Sequence, residues 1–340
     1  MNSFSKVKVN VLLISYNASQ YIEQCVKSIL MQKTTFKFNI IVADDCSSDD
    51  TLEKVKHFSN NCKNTEFSFL KSSKNLGINA NYKRAFKACS AEYIAVIEGD
   101  DFWTDPLRLQ KHIDFLDNHY ECVMSSNNRI VAFYDSGRLN PYHNLIASTH
   151  KHGIKVNENC LLMQASDIIC VNYGTNFSTC IYRKCIIDKL PDYFFDLTAS
   201  EIALNIMALQ HGFMAYFLDP MSVQVAHNDS ITGSMGEIGM HEAAIKIFEL
   251  MNIMTNKKFD REVKQRLHTL NSQINAIKNR PYTNNQVIPP PPKINKKKRK
   301  VTISSILKGI RLITPPLFLW IAKALIPKVI TESIYKRFIN

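Results

Sequence analysis

Residues 9–30 read VNVLLISYNASQYIEQCVKSIL, and this one stretch changes period halfway along. Val9 to Ile14 is a nearly continuous apolar run, as in a strand buried on both faces. From Ser19 to Leu30 the apolar pairs Tyr21/Ile22, Cys25/Val26 and Ile29/Leu30 recur every four residues, which is a helical stripe. A buried strand followed closely by an amphipathic helix opens a parallel sheet with helices on its faces. The same alternation continues outward. Asn39 to Val42, Glu66 to Leu70 and Tyr93 to Ile97 read as strands. Thr51 to Ser59, with Leu52, Val55 and Phe58 on one side, and Asn79 to Cys89 read as helices.

After Pro106 a helix is predicted to about Asn118, with Leu109, Ile113 and Leu116 aligned. Residues 122–235 mix short apolar runs with polar loops and read as mixed α/β. From about Gly236 to Lys278 the pattern is helical, with Ala244, Ile247 and Met251 in phase. Asn284 to Lys300 holds Pro289 to Pro292 and the run Lys296 to Lys300, which is a linker by composition.

The chain has 340 residues, 45% of them hydrophobic and 21% charged, so a sizeable core is expected and wholesale disorder is not. The net charge of +12 is unevenly spread. Beyond residue 280, twelve lysines and arginines face one acid, Glu332, which leaves the first 280 residues near +1. That disfavours a body that binds nucleic acid along its surface and favours a near-neutral body with a basic appendage. Nine cysteines lie between Cys25 and Cys185 with no C-x-x-C spacing, neither a disulfide scaffold nor a zinc site. A reducing compartment fits. Met1 to Asn10 lacks the features of a leader peptide. No uncharged apolar run reaches the roughly 18 residues of a spanning helix.

In an open parallel sheet, ligands bind beyond the carboxyl ends of the strands. There the sequence places Ser15-Tyr16-Asn17, Asp44-Asp45, Lys71 and Glu98-Gly99-Asp100-Asp101. Only Gly77 and Gly99 occur in the first hundred residues, so no glycine-rich phosphate cradle is present. An acidic pair tolerates a phosphate only through a bridging cation, which points to Mg²⁺ or Mn²⁺ on a diphosphate. The other pair is suited to hydrogen bonds from a base or sugar, and Tyr16 to stacking on a flat ring. Asp49 and Asp50 read as the start of a helix, as does Asp105.

These residues resemble the family 2 glycosyltransferases, inverting nucleotide-sugar enzymes with a GT-A fold. The resemblance covers roughly Val7 to Ser234. It rests on Val11 to Asn17 with Tyr21 to Cys25, on Ala43 to Thr51, on Asn75-Leu76-Gly77 with Asn81, and on Glu98 to Trp103, a D-x-D-type motif in E-G-D-D form. It implies an α/β fold with a mostly parallel sheet flanked by helices and a C-terminal helical extension. It further implies that Tyr16 and Asp45 hold a uracil-type base, with Asn17 and Asp44 beside them. Asp100 would contact ribose or sugar, Asp101 would ligate Mn²⁺ or Mg²⁺, and Lys71 and Asn75 would lie near the nucleotide. The family's general-base segment corresponds to Ala199 to Leu204, which makes Glu201 the base. Its Y-R-x-H segment corresponds to Gln224-Val225-Ala226-His227, where His227 is kept as a metal or phosphate contact and Tyr and Arg are not. The Q-x-x-R-W signature of processive synthases is absent.

The expected organisation is a transferase domain over 1–235, with a nucleotide-binding half at 1–101 and an acceptor half at 102–235. A helical extension follows at 236–282, then a linker at 283–300 and a basic amphipathic segment at 301–340. Three readings compete for that last part: nuclear import or nucleic-acid binding, a solvated charge run, and a membrane-surface anchor. Its interspersed apolar residues, such as Ile303, Ile306, Leu307 and Ile310, favour the anchor. The expected activity is metal-assisted transfer from a UDP-sugar to a glycan or lipid-linked acceptor at the inner face of the cell membrane. The alternative is a non-catalytic nucleotide-sugar-binding scaffold, motivated by the missing Tyr and Arg before His227.

Overall fold

The computed structural model describes residues 6–133, 138–141, 153–171, 175–228 and 230–280. They fall into two units, Met1–Leu270 and Asn271–Asn340, of which the second is described only over 271–280. The linker at 283–300 and the membrane-surface segment at 301–340 lie outside the described residues. Among the described residues no helix is long and apolar enough to cross a membrane, and the nine cysteines are free.

The opening stretch folds as its two periods predict. Strand β1 (Val9–Ser15) is buried along its whole length. Leu12 and Ile14 join one apolar cluster, and Val9, Val11 and Leu13 the other, across the sheet. Each such side chain, fully buried, contributes about 1.5–3 kcal/mol. Helix α1 (Ile22–Leu30) buries Ile22, Cys25, Val26 and Ile29. Then follow β2 (Phe38–Asp44), α2 (Thr51–Asn61), β3 (Phe67–Phe69), α3 (Ile78–Ala88), β4 (Tyr93–Glu98), β5 (Phe102–Trp103) and α4 (Arg108–Asn118). The acidic residues read as helix starts hold that place: Asp49 accepts the Thr51 N–H at 3.0 Å, and Asp105 the Leu107 N–H at 2.8 Å.

The remainder adds β6 (Cys122–Phe133), β7 (Arg138–Pro141), β8 (Ile154–Asn157), β9 (Cys160–Met163), helix α5 (Ala165–Val171), β10 (Ile181–Arg183), the short helices α6 (Lys184–Ile187) and α7 (Phe194–Leu197), α8 (Glu201–Ala208) and β11 (Phe213–Ala226). Helices α9 (Ile231–Met254) and α10 (Asp260–Lys278) follow. Gly236, with φ +66°, breaks α9 where the helical extension was expected to begin. The strand order is β3-β2-β1-β4-β10-β6-β11-β9-β8, with β7 on β6 and β5 on β11. Strands β1 to β4 are parallel, as are β6 and β11. The three-residue β10 runs antiparallel between β4 and β6 and joins the two parallel blocks.

Strand β6 holds Ser125-Ser126-Asn127-Asn128-Arg129, which composition alone gives to a loop, yet every one of them is buried. Each has a polar partner: Ser125 with His112, Ser126 with Thr179, Asn127 with Arg108 and Ser222, Asn128 with the Leu218 carbonyl, and Arg129 with Gln224. Buried polar groups persist in a core only when paired in this way.

Candidate functional site

The parallel register brings the predicted residues to one rim. Ser15 pairs with Asp44 and Ile14 with Glu98, so β1, β2 and β4 end level with one another. Tyr16, just beyond β1, is 52% exposed and leaves its ring open for stacking. Asn17 takes a left-handed backbone (φ 47°), and its Oδ1 accepts the Ser48 N–H at 2.9 Å. Lys71 is exposed on the same rim. Its carbonyl accepts from Arg84, which also donates to the Asp44 carbonyl and so ties the ends of β2 and β3 to α3.

The Asp44-Asp45 pair is buried. Asp44 accepts from the Ser15 hydroxyl and from the Ser47 N–H and hydroxyl. Asp45 accepts the N–H groups of Leu76 and Gly77, one on each oxygen, at 2.9 Å. Its role in this structure is to anchor the 75–77 loop, where Asn75 also accepts the Gly77 N–H. Gly77 sits at φ +83°, ψ 159°, and a Cβ there meets nothing within 4 Å. Gly77→Ala therefore isolates backbone strain, and an unfolding calorimetry experiment should show a loss of about 1–3 kcal/mol. An unchanged midpoint would mean that the loop adopts another conformation.

The two aspartates of the E-G-D-D motif point to different surroundings. Gly99 lets the motif pass close to β1, since a Cβ there would lie 3.1 Å from both Ile22 and Ser15 side chains. Asp101 is 2% exposed. Its Oδ2 accepts from Asn176 Nδ2 and Ser178 Oγ, both at 2.7 Å, and its Oδ1 from the Val225 N–H at 2.9 Å. Both oxygens are thus engaged inside the protein. Asp100 is part-exposed on the rim, 3.0 Å from His227 Nε2. The His227 ring stacks on Tyr21 at 4.7 Å. Strand β5, antiparallel to β11, produces this meeting by carrying the residues after Asp101 alongside Ser222 and Val223.

Glu201, the first residue of α8, faces the same acidic cluster. Burial pushes its carboxyl above the usual range, while its own N–H, Arg129 and the Ile202 N–H pull it down. Its charge is felt by Glu98 and by the Tyr82 hydroxyl, which donates to Glu98 at 2.9 Å. Arg129, 7% exposed, is the cation of this wall, and its Nε donates to Gln224 at 2.8 Å. Sequence reasoning missed Arg129, Tyr21, Tyr82, Asn176 and Ser178. Tyr21 stands in the run that carries the resemblance, where only its apolar spacing was read; the other four stand in runs that look like ordinary core or loop.

Burial, with Asp100 nearby, pushes Asp101 up to about 7. Between about pH 4 and 7 the folded chain then holds a proton that the unfolded chain has lost, so stability falls as pH rises through that window. The melting midpoint should be higher near pH 5.5 than near pH 7.5, and the slope should be shallower in Asp101→Asn. An equal slope in that variant would remove Asp101 as the cause.

A family model described as glycosyl transferase family 2 matches residues 10–178. The UDP-Glc:alpha-D-GlcNAc-diphosphoundecaprenol beta-1,3-glucosyltransferase WfgD of Escherichia coli is 29% identical over 145 residues, 41% of this chain and 54% of that protein. The chain spans about half or less of the length of the curated relatives it matches. Among solved structures, S. aureus TarS 1–349 in complex with UDP-GlcNAc has a TM-score of 0.57 at 18% identity, over 78% of this chain and 71% of that one. The mannosyltransferase PcManGT from Pyrobaculum calidifontis, in complex with GDP-Man and Mn²⁺, has a TM-score of 0.55 at 12% identity, over 98% and 88%. At these identities the structures share the fold, the GT-A arrangement of a mostly parallel sheet flanked by helices.

Proposed function

The chain belongs to the family 2 glycosyltransferases through residues 10–178, and from that premise we propose that it transfers a sugar from a UDP-sugar to a glycan or lipid-linked acceptor in cell-surface polysaccharide synthesis, by single displacement with inversion. The observation that carries this reading is the contact of Asp100 with His227 on the rim that also presents Tyr16 and Lys71, with the charge of Glu201 acting on Glu98 of the same motif. WfgD is named for a UDP-glucose reaction on a lipid diphosphate, and TarS is seen with UDP-GlcNAc, which supports a UDP-sugar here.

Asp100 and His227 fit a divalent cation, and the imidazole favours Mn²⁺ over Mg²⁺. Among the described residues no group of three His, Cys, Asp or Glu forms a complete cage. Asp100 and His227 would be the cation's protein ligands. When bound it would neutralise charge on the departing nucleoside diphosphate.

The chain's own residues supply the rest. Tyr16 stacks on the base, Asn17 and Asn75 border it, and Asp44 and Asp45 hold the loops that frame it. Lys71 offers a cation to the diphosphate. Glu201 accepts the proton of the attacking acceptor hydroxyl, which general-base catalysis requires. The N–H of Glu201, Arg129 and the N–H of Ile202 partly offset the burial that raises that carboxyl. The basic segment at 301–340 would attach the enzyme peripherally to the inner face of the membrane, beside a lipid-linked acceptor.

Titration calorimetry of the full chain with UDP, GDP, CMP and dTDP, with and without Mn²⁺, tests the proposal. Mn²⁺-dependent binding of UDP over the others is expected. Preference for GDP would overturn the uracil assignment, and binding indifferent to Mn²⁺ would overturn the role given to Asp100 and His227.

A further inference from the structure

Thr175-Asn176-Phe177-Ser178-Thr179-Cys180 is a six-residue stretch between the sheet and α8, and every one of its residues is buried. A short turn so deep in a core would cost least if it were apolar, because each polar atom placed there must find a partner. Here the polar atoms are numerous, and their partners are not random. On one side they meet the acidic motif. Ser178 Oγ donates to Asp101 Oδ2 at 2.7 Å and accepts the Glu98 N–H at 3.0 Å. Asn176 Nδ2 donates to the same Asp101 oxygen at 2.7 Å. The Ser178 carbonyl accepts the indole N–H of Trp103 at 2.8 Å, which fixes the strand that follows the motif. Phe177 stacks on Tyr82 at 4.5 Å, and Tyr82 in turn donates to Glu98.

On the other side the stretch meets the helix that begins with Glu201. Asn205, one turn along α8 from Glu201 and fully buried, donates to Thr175 Oγ1 at 3.2 Å. Its Oδ1 accepts the Tyr182 hydroxyl at 2.7 Å, from the strand into which the stretch runs. The six residues are therefore bonded at one end to the motif that carries Asp100 and at the other to the helix that carries Glu201.

We infer that Thr175–Cys180 is a brace that sets the spacing between the cation-binding motif and the general base. Ser178 and Asn176 are positioning residues for the motif, and Thr175 with Asn205 positions the base. The inference rests on the proposed transferase reading, since it concerns the two groups that reading pairs. Charged and hydrogen-bonded side chains around a ligand commonly act at this remove, and a small displacement of a reacting group is costly to rate.

The brace has two ends that can be cut separately in the full chain. Ser178→Ala removes the hydroxyl shared by Asp101 and Glu98, and Asn176→Ala is the second variant for the same end. Thr175→Val with Tyr182→Phe removes both hydroxyls that hold Asn205 while keeping the shapes of the side chains. Mn²⁺-dependent UDP binding should weaken about tenfold or more in the first pair. In the second, UDP binding and the KM for the sugar nucleotide should stay within about twofold while kcat falls about ten- to a hundredfold.

A role in general stability alone would lower the melting midpoint in both sets and move KM and kcat together, which overturns the inference. So does undiminished UDP–Mn²⁺ binding in both Ser178→Ala and Asn176→Ala, or an unchanged kcat in the Thr175/Tyr182 double variant. Failure of the unaltered chain to bind UDP with Mn²⁺ is a separate outcome. It removes the sugar-nucleotide reading itself, and this inference with it.

Discussion

Glu201→Gln is expected to lower kcat by about three orders of magnitude, within the range that a positioned general base contributes. Glutamine keeps the size of the side chain and its place at the start of α8 but cannot take a proton. Sugar-nucleotide binding should therefore be almost unchanged, and the loss should fall on kcat, a barrier increase of about 4 kcal/mol. The pH profile carries a second signature. Because burial holds the Glu201 carboxyl above the usual range, turnover in the unaltered chain should fall away on the acidic side at a higher pH than an ordinary glutamate would give. That limb should vanish in the variant. Full turnover in Glu201→Gln would move the base elsewhere, and Glu98 is the carboxylate that shares its field. Binding without any turnover in the unaltered chain would instead favour a nucleotide-sugar-binding scaffold.

The second large effect separates two neighbouring aspartates. Asp100→Asn should weaken Mn²⁺-dependent UDP binding by about a hundredfold or more, because a carboxylate ligand is lost outright. Asp101→Asn should weaken it only about tenfold. It should instead lower the melting midpoint at neutral pH, since asparagine keeps one acceptor oxygen but its NH2 cannot accept, so part of the set that Asn176, Ser178 and Val225 now donate is left without an acceptor. Titration calorimetry and thermal denaturation of the two variants, run side by side, decide the matter. Equal losses of cation binding would return Asp101 to the role of ligand.

The order of these two aspartates marks where sequence reasoning ends. Both are acids, they are adjacent, and nothing local says which one faces out. Orientation is decided by β5 turning onto β11, whose Val225 is 124 positions away. The first four strands and three helices were legible because each carries a strong local period, such as the two-faced burial of β1 and the four-residue stripe of α1. The three residues of β10 are too few to show a period at all. Strand β6 was hidden for the opposite reason. Its central Ser-Ser-Asn-Asn-Arg run looks like a loop until the partners of each side chain are in place. Arg129 lies in that run, so the cation beside Glu201 was concealed with it.

The bond from the Val225 N–H to Asp101 has a consequence for how the protein is made. A ribosome adds about 5–20 residues per second. The strands β1, β2, β3 and β4 can pair as soon as they emerge, yet the residue that completes the Asp101 site follows it by 124 positions. At that pace the nascent chain waits about 6–25 s with this aspartate still lacking its distant partner. During translation the protein thus passes through a period in which its first half is built and its acidic rim is unfinished. A synonymous or nonsense change between codons 101 and 225 acts on that interval, and truncated chains ending before β11 should be the species that chaperones and proteases meet.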